Sequence, residues 1–300
     1  MIIGIPRETH RLEHRVGLTP FGAAGLVAHG QGVVVQAGAG AAAHFTDRDY
    51  AAAGADVVYD AEEVFKRADL ICQVNMLGPD ELTLVKPGLV ICGFHHLAVA
   101  PKGVFDKVRD TEATLIGYEI IEDEAGDRPI LLAMSDLAGQ MAIHEAAHLL
   151  HITSGGRGVL LGSIAGVPAP TVLILGAGTV GTVAARQAAS LGANVIVMDA
   201  DVHKLQRFHR TVHARVDTAL MDRAQLARLL KVADVVIGAV LIPGGRAPDI
   251  VTEEMVKTMR PGSVIVDVSI DQGGCIETSR PTSLDNPTFT VHGVVHYCVP

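Results

Sequence analysis

The sequence predicts an α/β fold of two doubly wound domains with a cleft between them. Short apolar runs alternate with helical stretches over the first 130 residues, and a second series of the same kind begins at Thr171. This alternation is typical of parallel sheets covered by helices. The 300 residues are 49% hydrophobic but only 4% aromatic, which favours closely packed parallel strands over an aromatic-cored sandwich.

The first series predicts five strands with helices between them. The strands are expected at residues 2–5, 33–36, 69–74, 89–93 and 114–117, and two of the helices at 22–29 and 60–67. The second series predicts strands at 171–175, 194–198, 235–239 and 263–268. Each run has the short length and the Val and Ile content of a buried strand.

A long helix over residues 135–153 is predicted to join the two series. Ser135 can cap its start, and Gly155 and Gly156 follow its end. The recurring apolar positions of this helix are Leu137, Met141, Leu149 and Ile152. The predicted domains are therefore 1–134 and 135–300, and the connector helix belongs to the second.

The stretch HEAAHLLH, residues 144–151, matches a zinc hydrolase pattern in which two helical imidazoles bind zinc and the glutamate acts as base. His144, His148 and His151 share one helical face. However, the following ITSGG lacks the Gly and His that the longer form of the pattern requires. Leu137 and Met141 continue the same stripe, which favours a packing or subunit-contact face. No metal site is predicted.

Composition excludes several classes of function. The net charge is −9 and no basic run occurs, so neither nucleic acid nor an anionic membrane is an expected partner. The four cysteines stand far apart, which suggests a reducing, cytoplasmic setting. The start MIIGIPRE does not resemble a signal peptide, and no apolar run approaches the length of a membrane-spanning helix.

The segment TVLILGAGTVG, residues 171–181, carries the most specific motif. A buried strand runs directly into Gly176-x-Gly178-x-x-Gly181, a helix follows, and Asp199 ends the next strand. This order is the dinucleotide-binding fingerprint, in which the glycines admit the pyrophosphate and the acid accepts from ribose hydroxyls. A tight turn in a flavodoxin-like fold without nucleotide is the alternative. No Arg near Asp199 suits a 2′-phosphate, which favours NAD over NADP.

Five segments together resemble the alanine dehydrogenase family, which includes the NAD-binding subunit of the proton-pumping transhydrogenase. The resemblance spans essentially the whole chain and implies two Rossmann-like domains, a substrate domain followed by an NAD-binding domain. It also implies a homo-hexamer that interconverts L-alanine and NAD with pyruvate, ammonia and NADH. The segments are GIPRETHRLEHRVGLTP (4–20), GFHHLA (93–98), GGRGVLLG (155–162), GAVLIPGGRAP (238–248) and VDVSIDQGGCIETSRPT (266–282).

The resemblance also implies roles for individual residues. Arg15 matches the arginine that holds the substrate carboxylate, and its planar fork suits that group. His96 matches the acid/base histidine, whose proton affinity suits chemistry at an amine carbon. Asp271 matches an aspartate that orients ammonia or water. The cofactor-binding positions by resemblance are Ser135, Gly176, Gly178, Thr179, Val180, Gly181, Asp199, Lys204, Ala239, Val240, Leu241 and Ile270.

Two features depart from the family pattern. Asn75, in CQVNML, stands where alanine dehydrogenases carry a substrate-binding lysine. Loss of one such electrostatic donor can reduce a rate by roughly 10²–10³. The transhydrogenase subunit resembles this chain at Asn75 but lacks a histidine at the position of His96. In addition, the chain stops at HYCVP, where relatives continue, so a truncated or naturally short form is expected.

Three functions remain open at this point. The retained Arg15, His96 and Asp271 favour an NAD-dependent alanine dehydrogenase. Asn75 and the short C-terminus favour an NAD(H)-binding protein with weak or no dehydrogenase activity. A dehydrogenase for a different 2-oxo acid is the intermediate possibility.

Overall fold

The computed structural model describes residues 1–242 and 245–300. Contacts along the chain divide it into two compact units, Met1–Ile130 and Leu131–Pro300. Pro243 and Gly244, in the GAVLIPGGRAP segment, lie outside the described residues. Each unit is built around one sheet with helices on its faces, so the predicted α/β class with two parallel-sheet domains is confirmed.

The first unit contains a six-stranded parallel sheet in the order β3-β2-β1-β4-β5-β6. The order reverses between β1 and β4, which pair in the middle of the sheet. The elements are β1 (Ile2–Ile5), α1 (Pro20–Ala28), β2 (Gly32–Gln36), α2 (Asp47–Ala52), β3 (Asp56–Val58), α3 (Ala61–Arg67), β4 (Leu70–Cys72), α4 (Pro79–Leu84), β5 (Val90–Gly93), α5 (Lys102–Thr111) and β6 (Thr114–Gly117).

The second unit contains a seven-stranded sheet in the order β12-β13-β11-β10-β7-β8-β9. All of its pairs are parallel except the β12–β13 hairpin at one edge, and its order reverses between β7 and β10. The elements are α6 (Pro129–Leu149), β7 (Thr171–Leu175), α7 (Thr179–Ser190), β8 (Asn194–Asp199), α8 (Val202–Thr211), β9 (Asp217–Leu220), α9 (Arg223–Leu230), β10 (Val235–Gly238), α10 (Glu253–Val256), β11 (Val264–Asp267), β12 (Thr288–Val291) and β13 (Val294–Tyr297).

Strand β7 shows why these runs are continuously apolar. Its Val172 and Ile174 pack into one hydrophobic cluster, whereas Leu173 and Leu175 pack into another. Successive side chains on a strand point to opposite faces, so both faces of the sheet are buried under helices. A strand of this kind cannot alternate apolar with polar residues, which explains the unbroken TVLIL run.

Local capping fixes where several helices begin. The hydroxyl of Thr19 accepts from the Gly22 amide before α1, and the carboxylate of Asp60 accepts from the Glu63 amide before α3. Each such contact satisfies a backbone donor that has no partner inside the helix. Pro20 adds a φ angle suited to the first helical position.

The strands predicted from the sequence are all present with small changes at their ends, but β3, β9, β12 and β13 were not predicted. The prediction for the connector helix was wrong at both ends. Helix α6 begins at Pro129 and ends at Leu149, so Ser135 lies inside it, buried, and does not cap it. The proline is preorganised for a first helical turn, and a short 3₁₀ turn, Ile152–Ser154, follows separately. Among the described residues, no helix is long and apolar enough to cross a membrane.

A buried carboxylate, Asp234, pairs with an arginine and also links the first strand of the second unit to its neighbour. Asp234, just before β10, is 5% exposed, and its carboxylate accepts from Arg157 and from the Thr171 amide at 2.9 Å. The Arg260 guanidinium approaches the same carboxylate at 3.4 Å. The pair therefore anchors the glycine-rich segment that contains Arg157 to the start of β7 and β10.

We expect Arg157→Met to lower the free energy of unfolding by about 3 kcal/mol, because removing one partner leaves a buried charge poorly compensated. The control is Arg67→Met, which breaks an exposed pair with Asp56 and should remove less than about 1 kcal/mol. Chemical denaturation of the two variants measures both changes. Equal losses would contradict the anchoring role of Asp234.

Candidate active site

In the first unit, polar residues gather at the carboxyl ends of β1 and β4, where the strand order reverses. The Glu8 carboxylate accepts from the backbone amides of Val74 at 2.6 Å and Asn75 at 3.2 Å, and from Asn75 Nδ2 at 3.1 Å. It therefore ties the loop after β1 to the loop after β4. Ligands of open α/β sheets bind in the crevice at such a reversal.

A second carboxylate, Glu13, holds the predicted substrate-binding arginine. Arg15 donates from Nε to Glu13 Oε1 at 2.8 Å and from Nη2 to Oε2 at 2.6 Å. Burial alone raises the pKa of Glu13, but hydrogen bonds from Arg15 and Asn75 outweigh it and lower that pKa to about 2. Glu13 is thus ionised at neutral pH, and the Arg15 guanidinium is held in a fixed orientation on a side chain that is 47% exposed.

Asn75 lies between the two carboxylates. Its Nδ2 donates to Glu13 Oε2 at 2.8 Å as well as to Glu8 Oε2 at 3.1 Å. The structure therefore brings Arg15 and Asn75 together through Glu13. Sequence analysis missed Glu8 and Glu13. Their only sequence signal is the density of charges in RETHRLEHR beside Arg15.

His96 follows β5 in a left-handed backbone conformation, with φ 44° and ψ 48°. Its amide donates to Glu119 Oε1 at 2.8 Å, and its ring stacks on Phe94 with centroids 6.2 Å apart. The neighbouring His95 is buried, and its Nε2 lies 3.1 Å from the Ile91 carbonyl oxygen. The two histidines thus have different surroundings, and His96 is the more exposed.

The glycine loop of the second unit is as tight as its fingerprint requires. Gly176 has φ 110°, and a Cβ there would lie 2.3 Å from the Ala239 carbonyl oxygen. A Cβ on Gly181 would lie 1.9 Å from the Gly176 carbonyl oxygen. A Cβ on Gly178 would meet nothing within 4 Å. Two glycines therefore serve close packing, and Gly178 leaves open space.

Helix α7 begins directly after this loop. Gly178 occupies its N-cap position and has no side chain that could cap the helix. The amides of Thr179, Val180 and Gly181 therefore have no side-chain cap. Uncapped amides and the positive end of the helix dipole favour an anion. Open space at Gly178 beside them fits a dinucleotide pyrophosphate, which requires close approach to the backbone.

Asp199 ends β8 and is 9% exposed. Its Oδ2 accepts from the Ala177 amide at 2.8 Å and its Oδ1 from the Asp201 amide at 2.8 Å. The carboxylate thus fixes the glycine loop in addition to the ribose role predicted for it. Each carboxylate oxygen has further acceptor capacity for a hydroxyl.

The loops after β10 and β11 meet through side chains that the sequence analysis missed. The Val240 amide donates to Ser269 Oγ at 2.9 Å, and the Ile242 amide donates to Gln272 Oε1 at 3.0 Å. Asp271 is partly exposed in the 3₁₀ turn Val268–Gln272. Of the other predicted residues here, Ala239 and Ile270 are buried and Leu241 is exposed.

Ser135 and Lys204 stand in different settings. Ser135 lies one turn before Gly139 on α6, and a Cβ at Gly139 would lie 2.7 Å from the Val180 carbonyl oxygen. Residues four apart share a helical face, so Ser135 is on the side of α6 that packs against α7. Lys204 is exposed in the first turn of α8.

The histidine stripe is exposed. His148 and His151 have ring centroids 5.9 Å apart, and Ser154 Oγ lies 3.3 Å from His148 Nε2. Within residues 1–242 and 245–300, no group of three or more His, Cys, Asp or Glu side chains is arranged to hold a metal ion.

Two family models match the chain almost end to end. The alanine dehydrogenase/PNT N-terminal domain matches residues 4–138, and the alanine dehydrogenase/PNT C-terminal domain matches residues 142–300. The chain is 42% identical over 299 residues to alanine dehydrogenase of Mycolicibacterium smegmatis and 41% identical over 300 residues to that of Bacillus subtilis. These matches cover all of this chain, and 80% and 79% of those proteins respectively.

Solved structures agree with the sequence matches. An L-alanine dehydrogenase superposes with a TM-score of 0.89 at 41% identity, covering 100% of this chain and 82% of that one. A transhydrogenase from Sinorhizobium meliloti superposes with a TM-score of 0.81 at 27% identity, covering 100% and 86%. With both of its domains matched, the chain belongs to the alanine dehydrogenase/PNT family.

Proposed function

We propose that this chain is an NAD-dependent alanine dehydrogenase, which converts L-alanine, NAD⁺ and water to pyruvate, ammonium, NADH and a proton. The observation that carries the proposal is the fixed Arg15 guanidinium beside Asn75, in a chain 41–43% identical to alanine dehydrogenases along its whole length. A guanidinium fork is suited to a small carboxylate such as alanine or pyruvate. NAD, when bound, accepts the hydride from the substrate Cα.

Arg15 binds the substrate carboxylate in this proposal, and Glu13 keeps the guanidinium oriented. His96 removes the proton that the amine centre releases and returns it in the reverse direction. The left-handed backbone of His96 is held by the Glu119 carboxylate, and it fixes the direction in which the His96 side chain leaves the backbone. Asp271 orients the attacking water or ammonia.

In the second unit, the amides of Thr179, Val180 and Gly181 would hold the pyrophosphate and Asp199 the adenosine ribose. Ala239, Val240 and Leu241 would lie along the cofactor. Ile270 would pack against it, while Ser135 and Lys204 would add polar contacts. The open space at Gly178 supports this placement.

The absence of the family lysine does not favour a binding protein without chemistry. Asn75 supplies both of its amide hydrogens to the Glu8 and Glu13 carboxylates. These two acids are therefore held together, and Arg15 remains oriented, without a lysine. The arrangement supports an enzyme whose substrate site is assembled through a neutral donor.

We further propose a cytoplasmic homo-oligomer. The four cysteines are free thiols, as is usual in a reducing compartment. Several large apolar side chains are exposed, including Phe21 at 91% and Ile152 at 76%, and such residues often lie at subunit contacts. We expect light scattering to give a mass of several copies, with six as the family value. A mass of one chain would contradict this.

The decrease in NADH absorbance after pyruvate and ammonium are added tests the function, and the variant Asn75→Lys tests the site. We expect turnover by the unaltered chain and an increase in kcat/KM for pyruvate of about tenfold or more in Asn75→Lys. The lysine side chain adds a positive charge that the asparagine amide lacks, although the Glu8 and Glu13 carboxylates partly neutralise that charge.

The control Asn75→Leu has similar size but no donor, so Glu8 and Glu13 each lose one hydrogen bond, and kcat/KM should fall. Absence of turnover in both the unaltered chain and Asn75→Lys, with NADH still bound, would refute the proposed function.

Gly178→Ala tests the pyrophosphate placement. The added methyl enters open space, so the fold should be unaffected, but NADH should bind at least about tenfold more weakly, or about 1.4 kcal/mol. Fluorescence titration of NADH measures this change. Gly103→Ala, where a Cβ also meets nothing within 4 Å, is the matched control and should leave NADH affinity unchanged. Unaltered affinity in Gly178→Ala would contradict the placement.

A further inference from the structure

Three buried acceptor atoms in the first unit have no hydrogen-bond partner among the described residues. They are Gln73 Oε1, His95 Nδ1 and Glu119 Oε2. Gln73 is 2% exposed and His95 is 1% exposed. Each unpaired buried polar atom costs about 1–3 kcal/mol, so three of them in one region indicate a bound species that donates hydrogen bonds.

The three side chains lie around one pair of glycines. Gly93 on β5 is the register partner of Gly117 on β6. A Cβ at Gly93 would lie 3.3 Å from Gln73 Cγ and 3.3 Å from His95 Cε1, and one at Gly117 would lie 2.8 Å from the Glu119 carboxylate. Register partners point to the same face of a sheet, about 5 Å apart. The three polar side chains thus lie beside these two glycines.

The hydrogen-bond partners identify two of these atoms as acceptors. Gln73 donates from Nε2 to the Asn75 carbonyl oxygen, so its other amide atom is the oxygen. His95 Nε2 faces the Ile91 carbonyl oxygen, which can only accept, so Nε2 carries the ring proton and Nδ1 has the lone pair. Burial also lowers the pKa of His95, which keeps the ring neutral.

Glu119 supplies the third acceptor and a negative charge. Its Oε1 already accepts from the His96 amide at 2.8 Å, which leaves Oε2 buried and unpaired. No hydrogen bond or ion pair joins Glu119 to His95 within the part of the chain that the structure describes. A proton shared directly between them therefore does not satisfy the cluster, and a bridging donor is required.

Donor number and charge together distinguish the candidates for this bridge. One water molecule donates two hydrogen bonds, which leaves one of the three acceptors unpaired, and a pair of waters would leave the charge of the Glu119 carboxylate uncompensated. An ammonium ion donates four, and its charge compensates the carboxylate. We propose that Gln73, His95 and Glu119 form a binding site for ammonium. The inference rests on the proposed function, in which ammonium is the nitrogen substrate, and it places that substrate next to the backbone that carries His96.

Glu119→Gln is the variant that tests this site. Its amide oxygen can still accept from the His96 amide, while its NH₂ group takes the place of Oε2 and presents the bridging ion with a donor in place of an acceptor. The charge and one acceptor are lost, so KM for ammonium should rise about tenfold or more, and KM for pyruvate and NADH should not change. An unchanged KM for ammonium would overturn the proposal.

Glu124→Gln is the matched control, since Glu124 is exposed in the same unit and the substitution removes the same charge. It should leave all three KM values unchanged. An increase in KM for ammonium equal to that of Glu119→Gln would attribute the effect to net charge and would overturn the site.

Thermal unfolding without cofactor separates this proposal from the proposed function. Ammonium chloride should raise the Tm of the unaltered chain above its value in sodium or potassium chloride of equal ionic strength, because a ligand stabilises the state that binds it. Glu119→Gln should lose that difference. An equal effect of potassium, an equal effect on the variant, or no difference among the salts would overturn the ammonium site. A chain that shows the difference but has no turnover would refute only the proposed function.

Discussion

The reversal of strand order in each sheet is the constraint on which the candidate substrate residues of the first unit and the glycine loop of the second both depend. Where β1 and β4, or β7 and β10, lie side by side, the following connections diverge to opposite faces of the sheet. The carboxyl edge is left uncovered there, and backbone and side-chain groups at this edge need partners. In the first unit the Glu8 carboxylate accepts from backbone amides at this edge. In the second unit the glycine loop after β7 lies at this edge, where Asp199 accepts from its Ala177 amide.

The carboxylate in the first unit also decides the electrostatics of the substrate residues. Glu8 binds the loop that carries Asn75, and Asn75 in turn binds Glu13, which holds Arg15. Two acids close to one amide would repel each other if they lacked donors. The guanidinium and the shared amide hydrogens offset that repulsion, which is consistent with the lowered pKa of Glu13. A neutral residue at position 75 therefore has a defined structural role.

Short contacts around the glycine loop show a different use of small residues. Gly176 and Gly181 admit carbonyl oxygens at distances that no side chain would tolerate, whereas Gly178 faces open space. Asp199 then fixes the loop through the Ala177 amide. The same residues that identify a nucleotide fingerprint therefore also build a closely packed loop, and α7 begins uncapped because Gly178 has no side chain.

The sequence alone was sufficient for the fold class, the central strands, the glycine loop and the family. These depend on local signals, since a strand buried on both faces must be apolar on both, and a turn with the positive φ and close backbone contacts of Gly176 requires glycine. Edge strands such as β3 and β9 were missed because they are short and partly exposed. Only the tertiary structure decided the partners of Asn75, the roles of Glu8 and Glu13, and the unpaired acceptors around Gly93. Such contacts join residues far apart along the chain, as Glu8 and Val74 are, 66 positions apart. A linear pattern of charges does not indicate which of them the fold brings together.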